Sequence, residues 1–236
     1  MKGRFIKGKK DKKALIYLLC LFVVLILLYS IWASPLTQPN EHFITIYIRH
    51  DGTIDPDNAP IIKSGNRYLL IKNFFGAIKI ECNNITLDGG GHVLRGTLNG
   101  TIGVDIDGKE NVTISNITLQ SFNFGIVIST SMRITVLNVR FVGNYFGMLL
   151  SESSECAVRA CNITGGTYCG IWMVLSNNNT FYENVIQRVT YGVKLELSNG
   201  NHFWRNTFVQ NVMPMLADDQ SVDNRWDENS ILEPVE

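Results

Sequence analysis

The feature that most limits what this chain can become is a spacing. Gly103, Gly125, Gly147, Gly170 and Gly192 follow one another at intervals of 22, 22, 23 and 22 residues. Each leads an alternating apolar run: Val104-Asp105-Ile106, Ile126-Val127-Ile128, Met148-Leu149-Leu150, Ile171-Trp172-Met173 and Val193-Lys194-Leu195. One further step reaches Pro214, followed by Met215-Leu216. Asparagines keep similar time upstream of each step, at Asn116, Asn138, Asn162, Asn184 and Asn206. A unit this short cannot bury its own apolar face, so each copy must lean on the next, and the chain reads as a solenoid.

Apolar alternation with period two means strands. The connecting pieces are rich in Asn, Gly, Ser and Thr, which favour turns, and none carries a helical apolar stripe. A leucine-rich repeat fits one unit through Val136, Val139, Phe141, Asn144 and Phe146, but the place of Asn144 is taken by Phe122 and Val189 in other units. The expectation is therefore stacked β-coils, each of two or three short strands, about 4.8 Å apart. One inward column would be Ile114, Val136, Phe181 and Phe203, and another Leu119, Phe141, Ile186 and Phe208. The five asparagines would form one structural ladder, each amide bonding its copies in neighbouring coils. The glycines would serve a tight corner or a close backbone approach. Val158 and Ile163 slip by one residue, which predicts a bulge around Cys161.

The pattern Asn-x-x-Phe/Ile-x-x-Asn-x-Ile followed by Gly-Ile/Val, as in Asn178 to Gly192, resembles the right-handed parallel β-helix repeats of pectin-lyase-like proteins. More narrowly it resembles the NosD-type, periplasmic copper-binding β-helix family. Ile85-Thr86-Leu87-Asp88-Gly89 through His92, then Leu94-Arg95-Gly96, is similar to the first coil of such proteins. Ile46-Tyr47-Ile48-Arg49 with Asp51-Gly52-Thr53-Ile54 is similar to the leader of archaeal surface members. The resemblance spans roughly residues 43 to 226 and implies an all-β, right-handed, single-stranded parallel β-helix. It says little about activity, because this fold hosts many functions.

Before the repeats, residues 1–13 hold seven of the 21 Lys and Arg and one of the 21 Asp and Glu, leaving the remainder at a net charge of −6. An acidic body excludes nucleic acid as the natural partner. Residues 14–33 are uncharged and mainly apolar, and twenty helical residues span about 30 Å, the thickness of a bilayer core. The basic head places the N-terminus in the cytoplasm and the rest outside. A cleaved signal peptide is the alternative, although its apolar region would be long. The organisation expected is a basic tail (1–13), a transmembrane anchor (14–33), a linker (34–42), N-terminal cap strands (43–82), β-helix coils (83–216) and a C-terminal cap or tail (217–236). If that tail leaves the last coil open, its edge would seek a second copy.

Function is less legible, and the catalytic residues are unknown from sequence. Asp105 and Asp107 alternate with inward Val104 and Ile106, so both point outward. The same face then carries Val127, Leu149 and Trp172, and further on Lys194 with Glu196. An exposed apolar strip with a tryptophan and flanking charges suits binding of a surface glycan or a protein. A polysaccharide lyase or hydrolase would need paired carboxylates, and no Asn-x-Asp followed by Asp-Asp is present. Asp51, Asp55, Asp57 and Asn58 could offer oxygen ligands to Ca²⁺, but in no EF-hand spacing. Cys82, Cys156, Cys161 and Cys169 allow disulfides outside the cell or thiolates for copper(I). No Cys-x-x-Cys and no neighbouring His supports a metal site, so no cofactor is assigned. Six Asn-x-Ser/Thr sequons stand at Asn84, Asn99, Asn111, Asn116, Asn162 and Asn178.

Overall fold

The computed structural model describes residues 42–233. The anchor, tail and linker expected before residue 42 lie outside them, and no helix among the described residues is long and apolar enough to cross a membrane. The described chain contains strands but no helix, and it winds as a parallel β-solenoid with three faces per coil.

The long face is built from Phe74–Ile80, Ile102–Asp107, Phe124–Ser129, Phe146–Ser151, Cys169–Val174, Tyr191–Glu196 and Met213–Ala217, all parallel. Two short faces use three-residue strands, such as Thr113–Ser115 and Thr118–Gln120 in one coil. Strand Phe74–Ile80 turns a corner. Phe74 and Phe75 pair with Leu94 and Arg95 on the second short face, and Ile78–Ile80 pair with Val104–Ile106 on the long face.

Inward positions stack in register through every coil. On the long face the column is Ile46, Ile78, Val104, Ile126, Met148, Ile171, Val193 and Met215. On the first short face it is Tyr68, Leu87, Ile114, Val136, Val158, Phe181, Phe203 and Trp226. On the second it is Leu94, Leu119, Phe141, Ile163, Ile186, Phe208 and Ile231. β-branched and aromatic side chains dominate because they suit a pleated, half-buried surface. Phe181 and Phe203 stack with centroids 4.7 Å apart, close to one inter-strand step. Val158 and Ile163 are in register with both neighbours, so the expected bulge at Cys161 is absent. The extra residue of the 23-residue step lies instead in the turn around Gly165 and Gly166, between Asn162–Thr164 and Cys169–Val174.

The asparagines do not form one ladder. Asn116 and Asn138 occupy the first position of a two-residue corner between the two short faces, left-handed in each coil from Thr113–Ser115 onward. Asn116, Asn138, Ala160, Glu183, Arg205 and Glu228 all have φ between 52° and 55°, a conformation asparagine tolerates better than most residues. There Asn138 Nδ2 donates to Asn116 Oδ1 (2.9 Å), and Asn116 Nδ2 donates to Asp88 Oδ1 (3.2 Å). Asn184 and Asn206 stand one residue later, fully buried. Asn162 lies on the second short face between Arg140 and Val185. Counted from the inward residue of the second short face, Asn116 and Asn138 stand three positions upstream of Leu119 and Phe141, Asn184 and Asn206 two upstream of Ile186 and Phe208, and Asn162 one upstream of Ile163, so steps of one residue separate three environments.

The buried polar ladders are the larger finding. Asn184 Oδ1 accepts from the backbone N–H of Cys161, Asn206 Oδ1 from that of Asn184 and Asn229 Oδ1 from that of Asn206, at 3.0, 3.0 and 2.8 Å. At the corner leading from the long face, Asn179, Asn201 and Asn224 do the same for Cys156, Asn179 and Asn201, each at 2.9 Å. A serine column runs beside them: the N–H groups of Lys109, Ser131, Ser153, Ser176 and Ser198 donate to the hydroxyls of Ser131, Ser153, Ser176, Ser198 and Ser221. Among the described residues no buried side-chain nitrogen or oxygen is left without a partner, as a fully connected interior network requires.

The repeat glycines serve close approach. A Cβ on Gly147 would lie 2.5 Å from the carbonyl oxygen of Gly170, and one on Gly170 would lie 2.6 Å from that of Gly192. At the N-terminal end, Ile44–Ile48 lies parallel on Phe74–Ile80 and antiparallel to Ile54–Asp55, and Ile61–Ser64 folds back on Arg67–Leu70. These antiparallel returns interrupt the parallel edge. At the other end, Arg225–Asp227 and Ser230–Leu232 make one more partial coil, and Trp226 sits 5.3 Å from Phe203 and 4.9 Å from Phe208. Asp218, Asp219, Asp223, Asp227 and Glu228 fringe this last edge, and such charges discourage strand pairing between copies.

Two substitutions test this account. Asn201→Ala removes the acceptor for the Asn179 N–H and the donor to Ser176 O, and should lower unfolding free energy by about 1–3 kcal/mol for each buried group left unpaired. Gly147→Ala forces a backbone shift and should cost about 1–3 kcal/mol. Denaturant midpoints unchanged from wild type would contradict both.

Candidate functional site

The outward positions of the long face form two parallel lines. The first is Lys79, Asp105, Val127, Leu149, Trp172, Lys194 and Leu216. The second, two residues further along each strand, is Asp107, Ser129, Ser151, Val174 and Glu196. The register thus brings all seven residues expected from sequence onto one face. The other two faces present mainly Thr, Ser and charged residues outward, as in Thr113, Ser115, Thr118 and Gln120. An exception on the first short face is Arg159, whose guanidinium donates to Tyr182 Oη at 2.9 Å, followed by Trp204 beneath Arg205.

The strip is more aromatic and less open than the sequence suggested. Val127 is only 8% exposed, and Leu149 and Trp172 are half-buried. Phe124 and Phe146 stack at 4.5 Å and 5°, Phe146 and Trp172 at 5.3 Å and 21°, and Tyr145 and Tyr168 at 5.7 Å and 7°. Tyr191 meets Tyr168 edge to face at 5.3 Å. Lys194 Nζ lies 5.2 Å from the centroid of the Trp172 ring. Coil stacking therefore spends ring faces on one another and on Lys194, and leaves Tyr145 exposed and Phe124, Tyr168, Trp172 and Tyr191 half-buried. These extra aromatics stand at and just before the position preceding the repeat glycine, a signal present in the sequence but masked by its mixture with Ile102 and Cys169.

Charges at both ends of the strip are matched. Lys79 Nζ is 3.1 Å from Asp105 Oδ2, and the bond from Asp105 raises the lysine pKa. Lys194 Nζ is 2.5 Å from Glu196 Oε1, which raises that lysine likewise against its partial burial. Trp172 Nε1 donates to Glu196 Oε2 at 3.1 Å. Asp107 accepts from Thr130 Oγ1 at 2.8 Å. Asp105 and Asp107 thus have separate partners. Asp107 and Glu196 are four rungs apart, about 19 Å at 4.8 Å per rung, beyond the roughly 5–9.5 Å of a glycosidase carboxylate pair.

Other candidates fall away on contact. Asp55 pairs with Arg49, and Asp51 accepts from the Thr53 N–H and hydroxyl, so these loop carboxylates are committed to their own turn. Of the sequons, Asn116 is bonded into its corner, Asn84 and Asn111 bond each other at 3.0 Å, and Asn162 accepts from Gln187. Asn99 stands exposed in the turn before Ile102–Asp107.

A family model described as "Periplasmic copper-binding protein (NosD)" matches residues 58–234. Among solved structures, the chain is similar to the periplasmic alginate epimerase AlgG, with 14% identity, a TM-score of 0.43, and coverage of 69% of this chain and 51% of that one. It is also similar to the A-module of the Azotobacter vinelandii mannuronan C-5 epimerase AlgE4, with 12% identity, a TM-score of 0.46, and coverage of 72% and 64%. An alginate lyase from Paenibacillus is similar at 10% identity and a TM-score of 0.37, over 80% of this chain and 98% of that one. The chain thus spans about half of the first and under two thirds of the second. No curated protein matches it.

The described residues do not fit copper. Cys156, Cys161 and Cys169 lie at three different places on one coil, on the approach to the first short face, at the corner between the short faces, and on the long face. All three are buried and free. Their thiols face backbone carbonyls, of Ser154, Arg159 and Ile171, each at 3.3 Å. Burial pushes their pKa values up to about 11, 11 and 12, whereas a metal ligand must be a thiolate. Among the described residues no group of three or more His, Cys, Asp or Glu could hold a metal ion. In the folded protein at pH 8, iodoacetamide should leave these three cysteines unmodified, and in denaturant it should modify all of them. Mass mapping that finds any of the three labelled at the native rate of a free thiol would contradict this.

Proposed function

The chain belongs to the periplasmic copper-binding protein (NosD) family, and on that premise we propose that it is an extracytoplasmic recognition scaffold whose long face binds an extended surface glycan. In this reading the coils wind right-handed, as parallel crossovers do. Residues 14–33 hold the solenoid at the membrane, with the basic tail in the cytoplasm. The observation that carries the proposal is the continuous stack of aromatic and apolar side chains along the long face, with a matched Lys–Asp or Lys–Glu pair near each end. A polymer lying along the solenoid axis meets a fresh rung about every 4.8 Å. Ring edges and aliphatic side chains offer apolar contact to sugar C–H groups, while Lys194, Glu196 and the tyrosine hydroxyls offer hydrogen bonds. Because the rings brace one another, the surface is rigid before the ligand arrives, which limits the ordering cost of binding.

The test is a glycan array on the full chain in detergent, followed by titration of the best linear hexasaccharide. Trp172→Ala should weaken that binding at least tenfold, about 1.4 kcal/mol. An array without any bound glycan, or a Trp172→Ala variant that binds as well as wild type, would remove the proposal. Recovery of the chain from cells in the salt-washed membrane fraction checks the anchor; a soluble product starting after residue 33 would replace it with a cleaved signal.

A further inference from the structure

At the N-terminal end of the long face a cleft of about 250 Å³ opens beside the first strand and the turn that precedes Ile102–Asp107. Phe43, Thr45, Lys79, Thr101, Ile102 and Asp105 are among its lining. That volume lies just below the roughly 300–1,000 Å³ of pockets for drug-sized ligands, the scale of one sugar ring.

Its chemistry is specific. Lys79 and Asp105 pair at 3.1 Å while both remain partly exposed, at 41% and 25% of their side chains. The ammonium has three donors and the carboxylate two acceptor oxygens, so the pair keeps unspent donors and acceptors side by side. The Thr101 hydroxyl is already committed to the Thr97 carbonyl, which leaves the ion pair as the main polar feature. Phe43 supplies an aromatic wall and is itself held edge to face by Phe75, with centroids 5.6 Å apart. The lining itself carries no net charge, and Asp107 and Glu81 act on Lys79 from just outside it. An anionic ligand would have to draw Lys79 away from Asp105, and a zwitterion would have to split the pair. A neutral ring with adjacent hydroxyls needs neither, because it can donate to the carboxylate and accept from the ammonium while the pair stays intact.

We propose that this cleft binds a single neutral sugar residue, the terminal one of the chain held by the long face. Lys79 and Asp105 bond its adjacent hydroxyls and Phe43 contacts its apolar side. The term "terminal" rests on the glycan reading given above; the cleft itself does not, since it is sized for a monosaccharide and can be tested with one.

The experiment titrates the full chain in detergent with methyl β-glucopyranoside, methyl α-mannopyranoside and methyl β-galactopyranoside, and with glucuronate and galacturonate, by saturation-transfer NMR and calorimetry. At least one neutral glycoside should bind, and both uronates should bind at least tenfold more weakly. Lys79→Met should lose the neutral glycoside. Asp105→Asn, nearly isosteric, should also weaken it tenfold or more, and by freeing Lys79 should strengthen uronate binding. Circular dichroism checks that each variant keeps its β-fold. Preference of the wild type for uronates, or an Asp105→Asn variant with unchanged specificity, overturns the proposal. So does the absence of any monosaccharide binding. In each case Trp172-dependent binding of the hexasaccharide, measured on the same preparation, tells whether the long-face reading survives or falls with it.

Discussion

Each coil of this protein takes its hydrogen-bond partners from the coil above and the coil below, and that dependence governs everything else. A three-residue strand such as Thr135–Leu137 has no stability alone. It exists because Thr113–Ser115 and Ala157–Arg159 pair with it on either side. The same holds at the corners, where a β-sheet would ordinarily expose backbone groups. There the buried Asn and Ser side chains extend the pairing through the bends, each accepting the N–H of the coil before it. Pairing that runs around the corners as well as along the faces makes the solenoid a stack of rungs with few loose joints.

In-register stacking also decides what the surface can do. Side chains that recur at one position are forced face to face at the inter-strand distance. Inside, this fills the core with columns such as Phe181 on Phe203. Outside, it turns Phe124, Phe146 and Trp172 into a stack whose faces are mutually covered. The long face therefore offers a rigid ridge of ring edges between two neutralised ion pairs. An aromatic platform that lies flat beneath a ligand is a different geometry. The same constraint isolates the three cysteines of one coil from one another, because residues on different sides of a winding do not converge. Family membership and copper ligation consequently part company among the described residues of this chain.

The period, the strand character and two of the inward columns are legible in the sequence because they are repeated signals. A 22-residue spacing with alternating apolar residues admits few other foldings, and the outward placement of Asp105, Val127, Leu149, Trp172 and Lys194 follows from the pleat alone. The ladder was read less well. Asn116, Asn184 and Asn162 fall near one another in a count from the glycines, yet they occupy a left-handed corner, a buried bend and an open strand. The difference is one residue at a time: they stand three, two and one positions upstream of the inward residues Leu119, Ile186 and Ile163. Sequence spacing records that a residue was inserted, and only the backbone shows that the Gly165–Gly166 turn takes it up.

What the chain determined by itself was the repeat: which residues face in, which face out, and that neighbours along the axis are copies of one another. What tertiary structure decided was how those copies share their bonds. The pairing of Lys79 with Asp105, the loss of free ring face at Trp172 and the burial of three thiols all arise between coils, from atoms 22 or more residues apart. A one-dimensional pattern sets the order of such groups, but their distances and solvation depend on how closely the windings settle on each other.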